Sequence, residues 1–282
     1  MAEHLSLAST DGAKPVAPSA RAIRLIAVDL DMTLVDWAAH GPHVDPRAIE
    51  ALTAADTRGV LCGIASGRWD WDMQYILDRA GVLWGEPFPR FIVAREKLIS
   101  WVTCGALCPD EEWNAARTRE MRQLADTCLE FGFGWLSALR ESGLRDERWN
   151  LMDDYGLEIG LPSVDDAGRA CEILAEQVKD IPLATVHRNW VSANVVLSTG
   201  TKGATLRGLA QRKGLDPRQV LAIGDNLNDL DMVNGQHGLT GGAVGNAIEE
   251  VKAAVRASGG YVAQAEYGAG VAEIVTTALR LR

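Results

Sequence analysis

The chain reads as an α/β protein whose parallel, Rossmann-like sheet is interrupted by a second, inserted α+β domain. Three observations predict this. Short apolar runs end abruptly in polar residues at Asp29, Ser66 and Asp225. Stretches of helical period separate the early runs, the order expected of parallel strands joined by crossover helices. From about Pro87 to Arg188 the alternation breaks and tryptophans accumulate (Trp101, Trp113, Trp135, Trp149), and the pattern returns near Thr199. The expected division is a loose tail over 1–22, a discontinuous core over 23–86 and 189–282, and the insert over 87–188.

Each element has a local reason. The run Ile-Arg-Leu-Ile-Ala-Val before Asp29 is short, apolar and fit for a buried strand. Asp45-Pro46 opens a helix, with Asp as N-cap and Pro in the first turn, and Ile49, Leu52 and Ala55 share its inner face. Val60 to Ala65 is a second buried strand, and a helix from Asp70 to about Ala80 follows it. Within the insert, Glu111–Phe131 and Asp165–Lys179 read as amphipathic helices. Ile92-Val93, Leu157–Ile159 and Asn194–Leu197 are candidate strands. Thr201 caps a further helix carrying Lys202, and Val220 to Ile223 is the third buried strand of the core.

Composition bounds the function. The 282 residues carry 28 Lys plus Arg against 38 Asp plus Glu, a formal net charge of -10, which disfavours a broad nucleic-acid surface. No run of roughly 18 apolar residues suggests a membrane span, and the N-terminus has no signal-peptide pattern. Five cysteines without a paired CxxC read as reduced, mostly buried thiols of a cytoplasmic protein. His40 and His43 fit a solvated loop better than a ligand pair.

The chemistry-bearing residues sit where ligands bind in open α/β sheets, beyond the carboxyl ends of strands. Asp29 and Asp31 end the first strand. Two close carboxylates repel unless a cation or a proton intervenes, and magnesium, which prefers oxygen ligands, meets that need; an Asp-x-Asp pair that merely caps a turn is the other reading. Gly224-Asp225-Asn226-Leu227-Asn228-Asp229 brings further oxygen ligands after another strand, or else an Asx turn. Ser66-Gly67-Arg68 offers a hydroxyl and free amides for phosphate. Lys202 is either a surface charge or the cation that neutralises a phosphoryl group among carboxylates.

These four elements, in this order, resemble the haloacid dehalogenase-like hydrolase superfamily, and more narrowly its Cof-type branch with a large α/β cap. Gly224 to Met232, Gly245 to Lys252 and Gly268 to Val271 carry the resemblance most sharply. It implies that Asp29 attacks the phosphoryl group and that Asp31 protonates the leaving oxygen and later activates water. Thr33, Ser66, Gly67, Arg68, Lys202 and Asn228 are the implied phosphate-binding residues. The implied Mg2+ site comprises Asp29, Asp31 through its carbonyl, Asp225 and Asp229, the last also able to support Lys202. Three departures stand out: Met32 where the branch has Gly, Ser66 for the commoner Thr, and Ala94-Arg95-Glu96-Lys97-Leu98 where the branch shows an Asn-Gly-Ala turn.

The implied function is magnesium-dependent hydrolysis of a small phosphorylated metabolite, with a sugar phosphate the expected substrate, through an aspartyl-phosphate. A phosphotransferase or mutase with the same intermediate is the alternative, and a non-catalytic phosphometabolite-binding protein a further one. Candidate specificity residues are Arg95, Arg140, Arg145, His187, Arg188 and Asn189. A monomer or homodimer without nucleic-acid or membrane partners is expected.

Overall fold

The computed structural model describes residues 22–38, 40–85, 87–152 and 156–280, so most of the expected tail lies outside the described residues. In chain order the elements begin with β1 (Leu25–Val28), the hairpin β2 (Val35–Ala38) and β3 (Gly41–Val44), α1 (Pro46–Asp56), β4 (Leu61–Ala65) and α2 (Asp70–Arg79). There follow β5 (Phe91–Ala94), β6 (Leu98–Thr103), β7 (Ala106–Pro109), α3 (Glu111–Glu141), β8 (Arg148–Met152), β9 (Gly156–Gly160), α4 (Val164–Val178), β10 (Ala184–Asn189) and β11 (Ser192–Leu197). The chain closes with α5 (Lys202–Arg212), β12 (Val220–Gly224), α6 (Leu230–Val233), β13 (Thr240–Ala243), α7 (Glu249–Ala257), β14 (Tyr261–Val262) and α8 (Tyr267–Leu279).

Eight strands form the large sheet in the order β14-β13-β12-β1-β4-β5-β6-β7. Pairing is parallel from β14 through β5, while β6 and β7 add an antiparallel edge. In the centre Leu25 of β1 lies between Val220 and Leu61, and Val28 between Ile223 and Ile64. Every residue of β1, β5 and β12 is buried, as a sheet covered on both faces requires. The register brings the carboxyl ends of β1, β4 and β12 level, so Asp29, Ser66 and Asp225 leave the sheet side by side.

A second, antiparallel sheet has the order β10-β11-β9-β8. Helices α3 and α4 cover one face of it, and Leu124, Leu136, Leu157, Ile159, Leu174, Ala193 and Val195 make a core separate from that of the large sheet. The opposite face is polar. His187 pairs with Asn194, which pairs with Glu158, and Asn189 pairs with Ser192; the two-residue period of a strand puts these side chains together.

The sheets divide the chain differently from the boundaries expected at 87 and 188. β5, β6 and β7 extend the large sheet to residue 109, and β11 belongs to the small one. The edge strand β7 is mostly exposed, so its composition resembles an insert rather than a core. β11 is buried throughout and so reads like a strand of the large sheet. Helix α3 also runs ten residues beyond its expected end at Phe131. Its buried positions Cys128, Gly132, Trp135, Leu136 and Leu139 continue the helical period through the glycines. The cysteines divide, with Cys62 and Cys128 buried but Cys104 and Cys108 exposed.

The two chain crossings between the sheets are tied to each other. In α3, Arg117 donates to the Thr199 carbonyl at 3.2 Å and Glu120 accepts from the Thr199 hydroxyl at 2.5 Å. The start of α3 is in turn fixed to the large sheet, where the Trp113 indole donates to the Lys97 carbonyl at 2.7 Å and Asn114 bonds both backbone groups of Ile99.

Candidate active site

Asp29 leaves β1 with its N–H bonded to the Ile223 carbonyl at 2.9 Å, still in the grip of β12. The chain then folds back: Leu34 donates to Asp29, Val35 to Leu30, and Met32 to Val35. Met32 adopts φ 60, a left-handed conformation that favours glycine, and Asn246 Nδ2 holds its carbonyl at 2.7 Å. The turn separates the two aspartates. Asp29 is buried, whereas Asp31 stands at the rim.

Lys202, the first residue of α5 after its Thr201 cap, is fully buried. Its Nζ lies 2.5 Å from Asp29 Oδ1 and 2.6 Å from Asp229 Oδ1. Asp229 Oδ2 accepts from the N–H groups of Asp225 and Asn226 at 3.0 and 3.1 Å. This close fit needs glycine before it, since a Cβ on Gly224 would lie 2.5 Å from that of Asp229. Asp225 Oδ1 accepts from the Thr33 hydroxyl at 2.6 Å.

The carboxylates of Asp29, Asp225 and Asp229 offer oxygens within 4.8 Å of one another. Burial, then the Asp229 charge, pushes Asp225 up to about 7. Burial raises Asp29 well above the usual carboxylate range, with the Asp229 and Asp225 charges adding to it against Lys202. Burial works against the Lys202 charge, yet Asp229, Asp29 and Glu96 together hold its pKa above the ordinary value. Three buried carboxylates against one buried ammonium leave surplus negative charge, and oxygen-only donors suit a hard cation such as magnesium.

On the other side of the opening, Arg68 forms a fork with Asp31, its Nε 2.7 Å from Oδ2 and its Nη2 2.9 Å from Oδ1, while Nη1 reaches Asp72 at 2.6 Å. These hydrogen bonds, Asp31 first, raise the guanidinium pKa further despite partial burial. Ser66 is buried and its Oγ accepts from the Arg68 N–H at 3.2 Å. Between the two groups lies a cavity of about 220 Å³ walled by Asp29, Asp31, Met32, Ser66, Gly67, Arg68, Asn189, Asp225, Asn226 and Asn228. A wider hollow of about 420 Å³ near Val44, Ile49, Val82 and Phe88 has none of these residues in its wall.

The structure thus gathers most of the residues singled out in the sequence and redistributes some. Thr33, expected to bind phosphate, is fully buried and its hydroxyl is committed to Asp225. Lys202 grips Asp29 instead of lining the cavity. The Asp31 carboxylate is turned to Arg68, away from the acidic trio, so only its carbonyl remains for the expected metal role. Both Asp229 oxygens are engaged, which makes it a support for Lys202 and the Asp225 loop. Asn189 reaches the cavity wall from β10, whereas Arg140 pairs with Asp146 in a different hollow together with Arg145. The sequence names Asn226, Glu96 and Asn246 only as parts of motifs, and gives no signal for Asp72.

The segment from Ala94 to Leu98 explains itself structurally. Arg95 and Glu96 take φ 53 and φ 66 in succession, the conformation for which Asn-Gly is preferred. Their N–H groups bond the Arg68 and Ser66 carbonyls at 2.9 Å each, and Arg95 sits 4.8 Å over the Trp69 ring. The strained turn therefore braces the Ser66-Gly67-Arg68 loop.

A family model described as haloacid dehalogenase-like hydrolase matches residues 154–275. The chain is 37% identical over 82 residues to a putative phosphatase of Haemophilus influenzae, covering 29% of this chain and 30% of that protein. It therefore spans less than a third of that relative's length. Over 231 residues it is 25% identical to the 5-amino-6-(5-phospho-D-ribitylamino)uracil phosphatase of Bacillus subtilis, covering 82% and 87% of the two chains. The sucrose-phosphatase of a Synechocystis species, solved with sucrose and phosphate, aligns at a TM-score of 0.63 and 20% identity over 91% of this chain and 98% of that one. That last likeness is one of fold.

Proposed function

This chain belongs to the haloacid dehalogenase-like hydrolases, and from that premise we propose that it is a magnesium-dependent phosphatase of a small phosphorylated metabolite, working through an aspartyl-phosphate on Asp29. The observation that carries the reading is the buried Asp29 carboxylate. Lys202 holds its Oδ1, and the residue forms the wall of a cavity shared with Ser66, Gly67 and Arg68. A nucleophile so placed is fixed in orientation and short of water, the conditions under which attack on phosphorus is efficient.

In this reading Asp29 Oδ2 forms the new bond to phosphorus as the ester P–O bond breaks. Asp31 gives its proton to the departing oxygen, then takes one from the water that frees Asp29 and releases inorganic phosphate. Ser66, the Gly67 amide, Arg68 and Asn228 cradle the phosphoryl oxygens. Lys202 balances the charge of Asp29 and Asp229 throughout. Asp29, Asp225 and the Asp31 carbonyl would hold Mg2+, which when bound neutralises charge on the transferring phosphoryl group.

The four-stranded unit is the proposed cap, the core being 23–109 with 198–282. Its polar face carries Asn189 to the cavity wall and sets His187, Asn194 and Glu158 on the same side. Such a face suits a polyhydroxylated leaving group, and a sugar or polyol phosphate is the proposed substrate class. The Bacillus subtilis relative named for a phosphoribityl compound favours it.

The test is phosphate release from an aryl phosphate, with and without magnesium, in wild type and Asp29→Asn. Magnesium-dependent turnover that falls by about 10⁴-fold or more in the variant is expected. Turnover persisting in the variant would identify a different nucleophile.

A further inference from the structure

We infer that Trp37, on the β2–β3 hairpin, is the positioning residue that keeps Asp31 aimed at the leaving group once substrate is bound. The inference rests on the hydrolase reading above. The Trp37 indole Nε1 donates to Asp31 Oδ1 at 2.9 Å. The other two donors to Asp31 both come from Arg68, on Oδ2 at 2.7 Å and on Oδ1 at 2.9 Å. Arg68 also walls the cavity, beside Ser66. A phosphate dianion arriving there competes with Asp31 for the same guanidinium, whose planar fork matches either anion.

When Arg68 turns to the phosphoryl oxygens, Asp31 loses both forked contacts and keeps one, from Trp37. That remaining bond fixes Oδ1 and leaves Oδ2 as the oxygen that carries the proton to the bridging ester oxygen. An indole N–H is suited to this place. It is a donor only, so it occupies Oδ1 and cannot take up the proton that Oδ2 delivers. Trp37 does not line the cavity and acts only through Asp31. Its ring also lies 5.5 Å from the Arg68 guanidinium carbon, a platform on which the arginine moves. The indole is 43% exposed, so replacing it leaves the core untouched.

A positioned general acid matters in proportion to how poorly the leaving group departs unaided. Leaving-group release is therefore measured in single turnover, enzyme in excess, with p-nitrophenyl phosphate and with glycerol phosphate as probes. Trp37→Phe keeps the ring and removes the donor. The expected result is a loss of about tenfold for the alkyl ester, the worth of one hydrogen bond, with the aryl ester nearly unchanged. Trp37→His, which keeps a ring N–H, should recover part of the alkyl rate. Equal losses on both esters, or no loss on the alkyl ester, would overturn the role of Trp37 while leaving the hydrolase reading intact. Absence of release from wild type with both probes would overturn that reading, and the role of Trp37 with it.

Discussion

The two sheets of this protein solve different problems with the same alternation of side chains. The large parallel sheet hides both faces and exposes its chemistry only at strand ends, where Asp29, Ser66 and Asp225 emerge together. The small antiparallel sheet hides one face against α3 and α4 and leaves the other polar. Charge in the first region is buried and shared, with Lys202 bridging Asp29 and Asp229. Side chains on the second pair along the exposed face, as Glu158 does with Ser192 and Arg148. The difference teaches that, on the proposed reading, the reaction and the choice of substrate are separable: the first rests on buried residues of the large sheet, the second on the polar face of the small one.

Lys202→Met should break the comparison most severely. It strands Asp29 and Asp229 as uncompensated buried carboxylates, a loss of roughly 3–5 kcal/mol for one partner of a buried pair. Chemical denaturation measures it, and a loss below about 1 kcal/mol would mean that the chain of charges is not structural.

The pH response separates the regions next. Asp225, near 7 when folded, and Asp29, raised in the same sense, bind protons in the folded state that the unfolded chain has already released. Folding is therefore favoured at low pH within this window, and stability without metal falls as pH climbs from about 5 to 7. Thermal melts in chelator should show that decline and magnesium should abolish it; a melting temperature that rises with pH in chelator would contradict the assignment.

On the small sheet, Asn189→Ala should raise KM roughly three- to tenfold for the true substrate, the worth of one hydrogen bond, with kcat and the melting temperature unchanged. A matching fall in kcat would place Asn189 in the chemistry itself. The smallest effect belongs to Met32→Gly. Relief of the left-handed side-chain clash should stabilise the fold by about 1 kcal/mol, or about 2–4 °C in Tm.

The large sheet was legible because buried parallel strands write themselves as uninterrupted apolar runs, and because their polar ends fall at once into a site. Asp29, Asp225 and Lys202 were found that way, by spacing and by resemblance. What stayed hidden depends on distances that no spacing encodes. That Thr33 bonds Asp225 across 192 positions, or that Asp31 faces Arg68 instead of the acidic trio, follows only from the folded turn at Met32. The bounds of the two sheets stayed hidden for a similar reason. An exposed edge strand of the core and a wholly buried strand of the small sheet each wear the other's composition.

The stitching of the two crossings by Arg117, Glu120 and Thr199 has a mechanical consequence. Two independent tethers would let the small unit twist, slide and tilt over the cavity. Tethers bonded to one another act as a single door hinge, so whatever swing the unit makes must follow one arc. Asn189 would then return to the same spot on the cavity wall at every closure.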